Sequence, residues 1–390
     1  MRILMSSHYF SSHQGGVELV ADHLYRQFTA HGNLVRWMAG DATPAPETIG
    51  QSEPDALPIF NFVESRIGLP FPIPTLRALR KISRGVREAD IVLLHDCLYF
   101  HNIAAFLLAR MHRVPVAVIQ HTRLAPFRNP LLNLLMSAST AVFTRPMLAR
   151  ADRVVFISET THAFFEDVGF LSEPGVIFNG VDADLYRPAA DGERNALRLH
   201  FELPPDIPVV LFVGRFVEKK GLAAMREMVE MRPDWLWAFA GWGPLDPSNW
   251  NLPNVHVFSG LRGSSIASLY RACDALVLPS WGEGFPLVIQ EALASALPVI
   301  CSAETLEADP ALSSVVHGAP VFPGDGRRTA LGFVAALDEI LFSAHSTDAG
   351  RNFALSRYSW SRAAERYLAI LTQLCPTPLS VSPAVTPEGC

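Results

Sequence analysis

Short apolar runs alternate with stretches of helical period along almost the whole chain. In the first half, strands are predicted at Ile3–Ser6, Leu34–Met38, Ile91–His95, Val114–Gln120, Arg153–Ser158 and Gly175–Phe178. Helical patterns fall between them at about 16–31, 75–88, 101–112, 130–150 and 159–168. The alternation pauses near Asp182–Pro188, and Pro188–Pro208 mixes polar, proline and helix-compatible residues. A second series then begins, with strands predicted at Val209–Val213, Leu236–Ala240, Val255–Phe258, Ala275–Leu278 and Val299–Cys301. Helices are expected between them at about 220–231, 264–273 and 286–296, and another over Ser359–Leu374. Strand–helix alternation of this kind points to α/β architecture with parallel sheets. Two such series imply two Rossmann-like domains facing a cleft, with ligands beyond the carboxyl ends of the strands.

The organisation that follows is a first domain over 1–188, a linker region at 189–207 and a second domain over 208–358. A helix over 359–375 closes the fold, and the proline-rich tail 376–390 is expected to be disordered. A length of 390 residues suits two domains better than one core. About half the residues are hydrophobic, as in a packed globular protein, and a net charge of −6 argues against a dedicated nucleic-acid binder. Cys97, Cys273, Cys301, Cys375 and Cys390 have neither metal-type nor disulfide-framework spacing. The first strand is too short an apolar run for a signal peptide, and no segment approaches the roughly 20 apolar residues of a membrane span. A cytoplasmic protein, at most peripheral to a membrane, is expected.

Chemistry concentrates where predicted strands end. Gly15-Gly16 precedes the first helix, either as a plain tight turn or as a place where backbone N–H groups approach an anion. Lysine occurs only at Lys81, Lys219 and Lys220. Two of the three follow Gly214-Arg215 in Glu218-Lys219-Lys220-Gly221. An Arg at a strand end, with a Lys at the start of the next helix, makes a plausible pyrophosphate clamp; a solvated basic turn is the plainer reading. After Ala275–Leu278 comes Pro-Ser-Trp-Gly-Glu-Gly-Phe-Pro-Leu-Val-Ile-Gln-Glu-Ala, from Pro279 to Ala292. Pro286 fits the first turn of a helix. That leaves Glu283 in the loop before it, Glu291 a little over one turn inside, and free N–H groups near Gly284, Phe285 and Leu287 facing the cleft. A carboxylate at both places suits a site that grips sugar hydroxyls. An acidic residue favoured by the helix dipole would explain Glu283 but not Glu291. His121, at a strand end of the first half, faces the same cleft. His95 is its nearest rival, and His8 and His13 lie near the first loop.

These residues together resemble the retaining glycosyltransferases of family 4, which have the GT-B fold. The resemblance runs from Gly15-Gly16 to the last helix, and its most specific part is the E-x7-E motif, Glu283 to Glu291. Supporting matches are Gly214-Arg215 with Glu218-Lys219-Lys220-Gly221, Phe178-Asn179-Gly180-Val181-Asp182 with Tyr186-Arg187-Pro188, Ala240-Gly241-Trp242-Gly243, and Tyr270-Arg271-Ala272-Cys273-Asp274. Cys273 stands where the family usually has Ala. The resemblance implies a nucleotide-sugar donor of UDP or GDP type, with Glu291 on the ribose and Arg215 and Lys220 on the diphosphate. Glu283 would hold the donor sugar, helped by N–H groups at Gly284, Phe285 and Leu287. Gly16 would close over the phosphates, residues near Leu261 would border the base, and His121 would touch the sugar near its reacting face. The final helix would cross back to the first domain. No metal or other cofactor is implied, and no clear DxD cluster is present to hold one. The expected activity is sugar transfer with retention, in cell-envelope or exported polysaccharide or glycolipid synthesis.

The acceptor half is less explicit. Arg66 to Arg87 holds six basic residues and no acid, and Cys97 to Ala151 has six Arg and no acid among many apolar residues. One face of the first domain resting on anionic lipid would explain this, as would a core helix flanked by ordinary surface Arg. A glycan or lipid-linked acceptor is expected, and nucleic acid is not. Two other functions compete: a non-catalytic sugar-nucleotide or glycan-binding module, and a nicotinamide-dependent oxidoreductase. The second lacks a GxGxxG after its first strand.

Overall fold

The fold is described from a computed structural model over residues 1–13, 15–42, 44–60, 73–123, 130–342 and 347–375. Its strands are β1 (Arg2–Ser6), β2 (Leu34–Gly40), β3 (Glu53–Leu57), β4 (Ile59–Phe60), β5 (Ile73–Pro74), β6 (Ile91–His95), β7 (Val116–Gln120), β8 (Arg153–Phe156), β9 (Gly175–Val176), β10 (Val209–Arg215), β11 (Leu236–Trp242), β12 (Val255–Phe258), β13 (Ala275–Leu278), β14 (Val299–Ser302) and β15 (His317–Ala319). A seven-stranded sheet runs β3-β2-β1-β6-β7-β8-β9, and a six-stranded sheet runs β12-β11-β10-β13-β14-β15. Every pair in both sheets is parallel. Only the short pair β4–β5 is antiparallel among the described strands.

Both sheets grow outward to one side and then return to grow on the other. The reversal lies between β1 and β6 in the first sheet and between β10 and β13 in the second. A crevice opens at such a switch point, because the connections on its two sides leave in opposite directions. The elements expected from the sequence occur, most with ends shifted by a residue or two, although the helix expected at 159–168 ends four residues early, at Phe164. Differences are larger where tertiary packing overrides the local pattern. Within 189–207, expected to be linker, the helix Glu193–His200 forms. Its Arg198 is buried and donates to the carbonyls of Ala272 and Pro205 and to Asp274, so the segment is fastened to the second domain. The strands Glu53–Leu57 and His317–Ala319 and the helices Gly326–Phe342 and Thr347–Arg357 were not foreseen. The stretch 130–150 divides into the helix Pro130–Ser139, a π-helical turn Thr140–Thr144 and a short helix Arg145–Leu148. The tail 376–390 lies outside the described residues.

The last helix, Trp360–Leu374, returns to the first domain. Ser359 caps it, accepting from Arg362 N–H. Trp360 stacks on His23 of the first helix, Gly16–Ala30, with ring centroids 4.4 Å apart. Gly180 permits that docking, since a Cβ there would lie 2.4 Å from Trp360 N. Ala363, Ala364, Tyr367 and Leu371 join one continuous buried cluster with Val20 and Leu24 of the first helix and Val209–Phe212 of β10. The core therefore spans both domains and fixes the cleft between them.

Candidate active site

At the second switch point β10 ends in Gly214-Arg215. Arg215 makes no ion pair among the described residues; its guanidinium carbon stands 4.9 Å over the Trp242 ring, and its Nε is buried without a partner. The chain then makes a 3-10 turn, Glu218–Lys220, ended by Gly221 at φ +75°. A Cβ at Gly221 would lie 2.3 Å from the Pro279 carbonyl oxygen, so only glycine lets this turn approach the end of β13. Trp281 N–H donates to the Lys219 carbonyl at 3.0 Å and ties the turn to the loop after β13. Lys220 Nζ thereby stands 2.9 Å from Glu283 Oε1, both side chains being mostly buried. Burial pushes the Glu283 carboxyl up, but Lys220 and Lys219 outweigh it and hold the group below its ordinary range. Glu283 is an anion paired to the clamp lysine, poised to accept hydroxyl protons on its remaining lone pairs.

The helix Leu287–Ala294 starts one residue later than expected, with Pro286 as its N-cap rather than inside its first turn. The backbone N–H groups of Gly284, Phe285 and Leu287 find no acceptor among the described residues. They form a row of donors at a helix N-terminus, where the dipole favours negative charge. Phe285 is buried against Phe178 and Tyr358, each 5.4 Å away between centroids, and Gln290 donates to the Asn179 carbonyl at 2.8 Å. Glu291 accepts from the Tyr270 hydroxyl at 2.8 Å and also from Tyr186. Burial raises the Glu291 carboxyl, and the two tyrosines offset part of the rise. Tyr186 and Tyr270 lie in stretches that the sequence matched only as family markers; here they orient the second glutamate. Leu261, half-buried, sits in the loop between β12 and the helix Ser264–Ala272.

Across the cleft, His121 follows β7. Its Nε2 lies 3.0 Å from His95 Nδ1, and both rings are buried, so the two rival histidines are partners. Burial drives both pKa values down, His95 to about 3 and His121 well below its ordinary value, with His95 adding to the effect on His121. They are neutral donors and acceptors, not cations. Asp96, at φ +64°, positions this edge by accepting from the His121 and Thr122 N–H groups at 2.8 and 3.2 Å. The domains touch here: a Cβ on Gly284 would lie 2.3 Å from the His121 carbonyl oxygen. Arg123 and Glu304 pair across the same gap, and Glu304 also accepts from Gly282 N–H at 3.3 Å. Gly16 opens the first helix at the carboxyl edge of β1, with nothing within 4 Å of where its Cβ would be. A Cβ on Gly15 would strike the Glu18 carboxylate. Sequence reasoning did not single out Glu18, Asp96, Arg123 or Glu304.

The site thus gathers Arg215, Lys220, Glu283, Glu291 and three free N–H groups on one side of a cleft, with His121 closing the other. Residues 14–185 match the family model of Glycosyltransferase Family 4, and residues 207–339 match that of Glycosyl transferases group 1. A similar curated relative is D-inositol 3-phosphate glycosyltransferase of Corynebacterium aurimucosum, 26% identical over 61% of this chain. The match spans 59% of that relative's length. Among solved structures, sucrose-phosphate synthase of Thermosynechococcus elongatus superposes with a TM-score of 0.72 at 19% identity, over 96% of this chain and 99% of the other. Anabaena Alr3699/HepE in complex with UDP-glucose gives 0.69 at 19% identity, over 96% and 100%. These likenesses show the GT-B fold, two Rossmann-like domains about a cleft. The two family models, which together span most of the chain, place it in glycosyltransferase family 4.

Proposed function

We propose that this chain moves a sugar from a UDP- or GDP-type donor to an acceptor with retention of anomeric configuration, and needs no metal for the transfer itself. The observation that carries the reading is Arg215, a strand-end cation with no ion-pair partner among the described residues, beside Lys220 and the free N–H row at Gly284, Phe285 and Leu287. In such a reaction the bond between the anomeric carbon and the diphosphate oxygen breaks, and a bond to the acceptor oxygen forms. The acceptor proton passes to the leaving phosphate on the same face. Charge therefore accumulates on the diphosphate, where preorganised cations and helix N–H groups stabilise it without reorganisation. Arg215 and Lys220 take that role, Gly16 closes over the phosphates, and Glu291, steadied by Tyr186 and Tyr270, binds the ribose hydroxyls. Glu283 holds the donor sugar, His121 lies against its reacting face as a neutral imidazole, and residues about Leu261 border the base. The test is a panel of UDP, GDP, ADP and NAD in thermal unfolding, followed by donor turnover and the product's anomeric configuration by NMR. Stabilisation by NAD alone, or an inverted product, overturns the reading.

The acceptor side supports a second element of the proposal, a lipid-borne acceptor in envelope glycan or glycolipid synthesis. Leu131, Leu134 and Leu135 lie in the acid-free stretch after His121, exposed on one stripe, and Val142 beyond them is exposed too. The electrostatic part is weaker than the sequence implied, because Arg110 and Arg145 pair with Asp152 and Asp167, and Lys81 and Arg84 with Asp55 and Glu88. No helix among the described residues is long and apolar enough to cross a membrane. Contact at the lipid surface is then an apolar one, made by the stripe.

A further inference from the structure

Three chain segments at the carboxyl edge of β1 converge on a cluster that the donor site does not use. His8 lies in the loop after the strand, His13 ends the 3-10 turn Ser11–His13, and Glu18 stands in the first turn of the helix Gly16–Ala30. His8 Nε2 is 3.0 Å and His13 Nδ1 2.8 Å from the same oxygen, Glu18 Oε1. One ligand-type atom from each residue lies within 4.8 Å of the other two. Glu18 is 1% exposed, and among the described residues no Lys or Arg pairs with it. A buried carboxylate is costly unless a positive charge accompanies it. Two neutral imidazoles supply hydrogen bonds but no charge, so the charge must come from a proton or from a bound cation.

We propose that His8, His13 and Glu18 form a binding site for a divalent transition-metal cation of the zinc class. Two imidazole nitrogens and one carboxylate are a borderline-soft donor set, one that suits zinc rather than magnesium or calcium. Ligands at zinc distances of roughly 2.0–2.2 Å stand about 3.3 Å apart in a tetrahedron, so the side chains need to open only slightly. The cation would join the strand end, the 3-10 turn and the helix start, and so fix the loop that presents Gly15-Gly16. It is distinct from diphosphate neutralisation, for which Arg215 and Lys220 serve on the other domain.

The experiment uses the full chain after dialysis against chelator. Zinc titration by calorimetry should show one saturating site per chain, and cobalt(II) should give the intense visible absorption of a tetrahedral complex. Bound zinc should also raise the unfolding midpoint. His13→Ala is the deciding variant, because His13 is the least buried of the three, and circular dichroism without metal checks that it folds. It should weaken binding at least about tenfold, and Glu18→Gln, which removes the charge with little change of shape, should do the same. No saturating site in the parent protein, or a site undiminished by His13→Ala, overturns the proposal and leaves a hydrogen-bonded imidazole–carboxylate cluster.

Discussion

Lys220 is held 2.9 Å from Glu283 before any donor arrives, so its charge is already placed and partly desolvated. Lys220→Ala should depress turnover about a hundredfold or more, the usual cost of one preorganised charge-stabilising group. Single-turnover rates read this directly, and near-parental turnover would remove Lys220 from the clamp. Asp96 makes a second residue-scale prediction, about stability. Burial raises its carboxyl from 3.8 to about 6, against the backbone N–H bonds that pull it down. The difference is on the order of 3 kcal/mol. Below the unfolded value both states hold the proton, and the neutral group's contribution is fully present. That contribution is lost as pH rises through about 6, where the folded protein must ionise a buried acid. Asp96→Asn stays neutral, tolerates φ +64° and keeps an oxygen for the N–H groups of His121 and Thr122. Relative to the parent, the variant should gain stability between pH 4 and 7 in denaturant unfolding. Identical pH slopes in the two proteins would show that Asp96 does not carry the cost.

At the scale of elements, what the sequence discloses and what it hides follow from how local each signal is. β6, β12 and β13 were legible to the residue: β6 and β13 are short buried runs bounded by turns, and β12, Val-His-Val-Phe, is a half-buried edge strand of β-branched and aromatic residues. The donor loop was legible too, since its glycines, proline and carboxylates lie within one short stretch. β3 was not: Glu-Pro-Asp-Ala-Leu reads as loop, and only pairing with β2 makes it a strand. The helix Glu193–His200 was hidden for a similar reason, its key contact being Arg198 with the distant Ala272 carbonyl. The bond between His95 and His121, and the two tyrosines on Glu291, join elements far apart in sequence, so no spacing rule could pair them. Gly284 lies at the meeting of two such elements, and its role tests their mutual placement. An alanine there must displace either the donor loop or the His121 carbonyl, because its Cβ would fall 2.3 Å from that oxygen. Arg215 and Glu291 would remain in place. Gly284→Ala should therefore lower kcat by about a hundredfold, the cost of an ångström's misplacement. Nucleotide affinity should change little. A variant that loses UDP or GDP binding in proportion to kcat would mean that the contact serves the donor pocket instead.

The molecule as a whole places its chemistry between two domains and its exposed apolar stripe on the first. Leu131, Leu134 and Leu135 are 72%, 67% and 59% exposed, at spacings that keep them on one face of the helix Pro130–Ser139, and Val142 in the π-helical turn that follows is 61% exposed. Exposed apolar patches of this kind on a surface helix mark contact surfaces. The stretch from Cys97 to Ala151 holds no acid of its own, while Asp152 and Asp167, paired with Arg110 and Arg145, offset part of its positive charge. Binding driven by apolar burial should survive moderate salt, whereas binding by a polybasic face should not. Burying a leucine contributes about 1.5–3 kcal/mol. The double substitution Leu134→Glu, Leu135→Glu should then weaken vesicle partitioning by roughly a hundredfold or more. It lies outside the donor site, so turnover on a water-soluble acceptor should stay at the parental level. Flotation with anionic and with zwitterionic vesicles, each at low and moderate salt, distinguishes the cases. Apolar docking leaves the parent protein in the floating fraction at both salt concentrations and returns the double variant to the bottom. A parent protein that fails to float with anionic vesicles at moderate salt ends the lipid proposal and makes the stripe a surface for a protein.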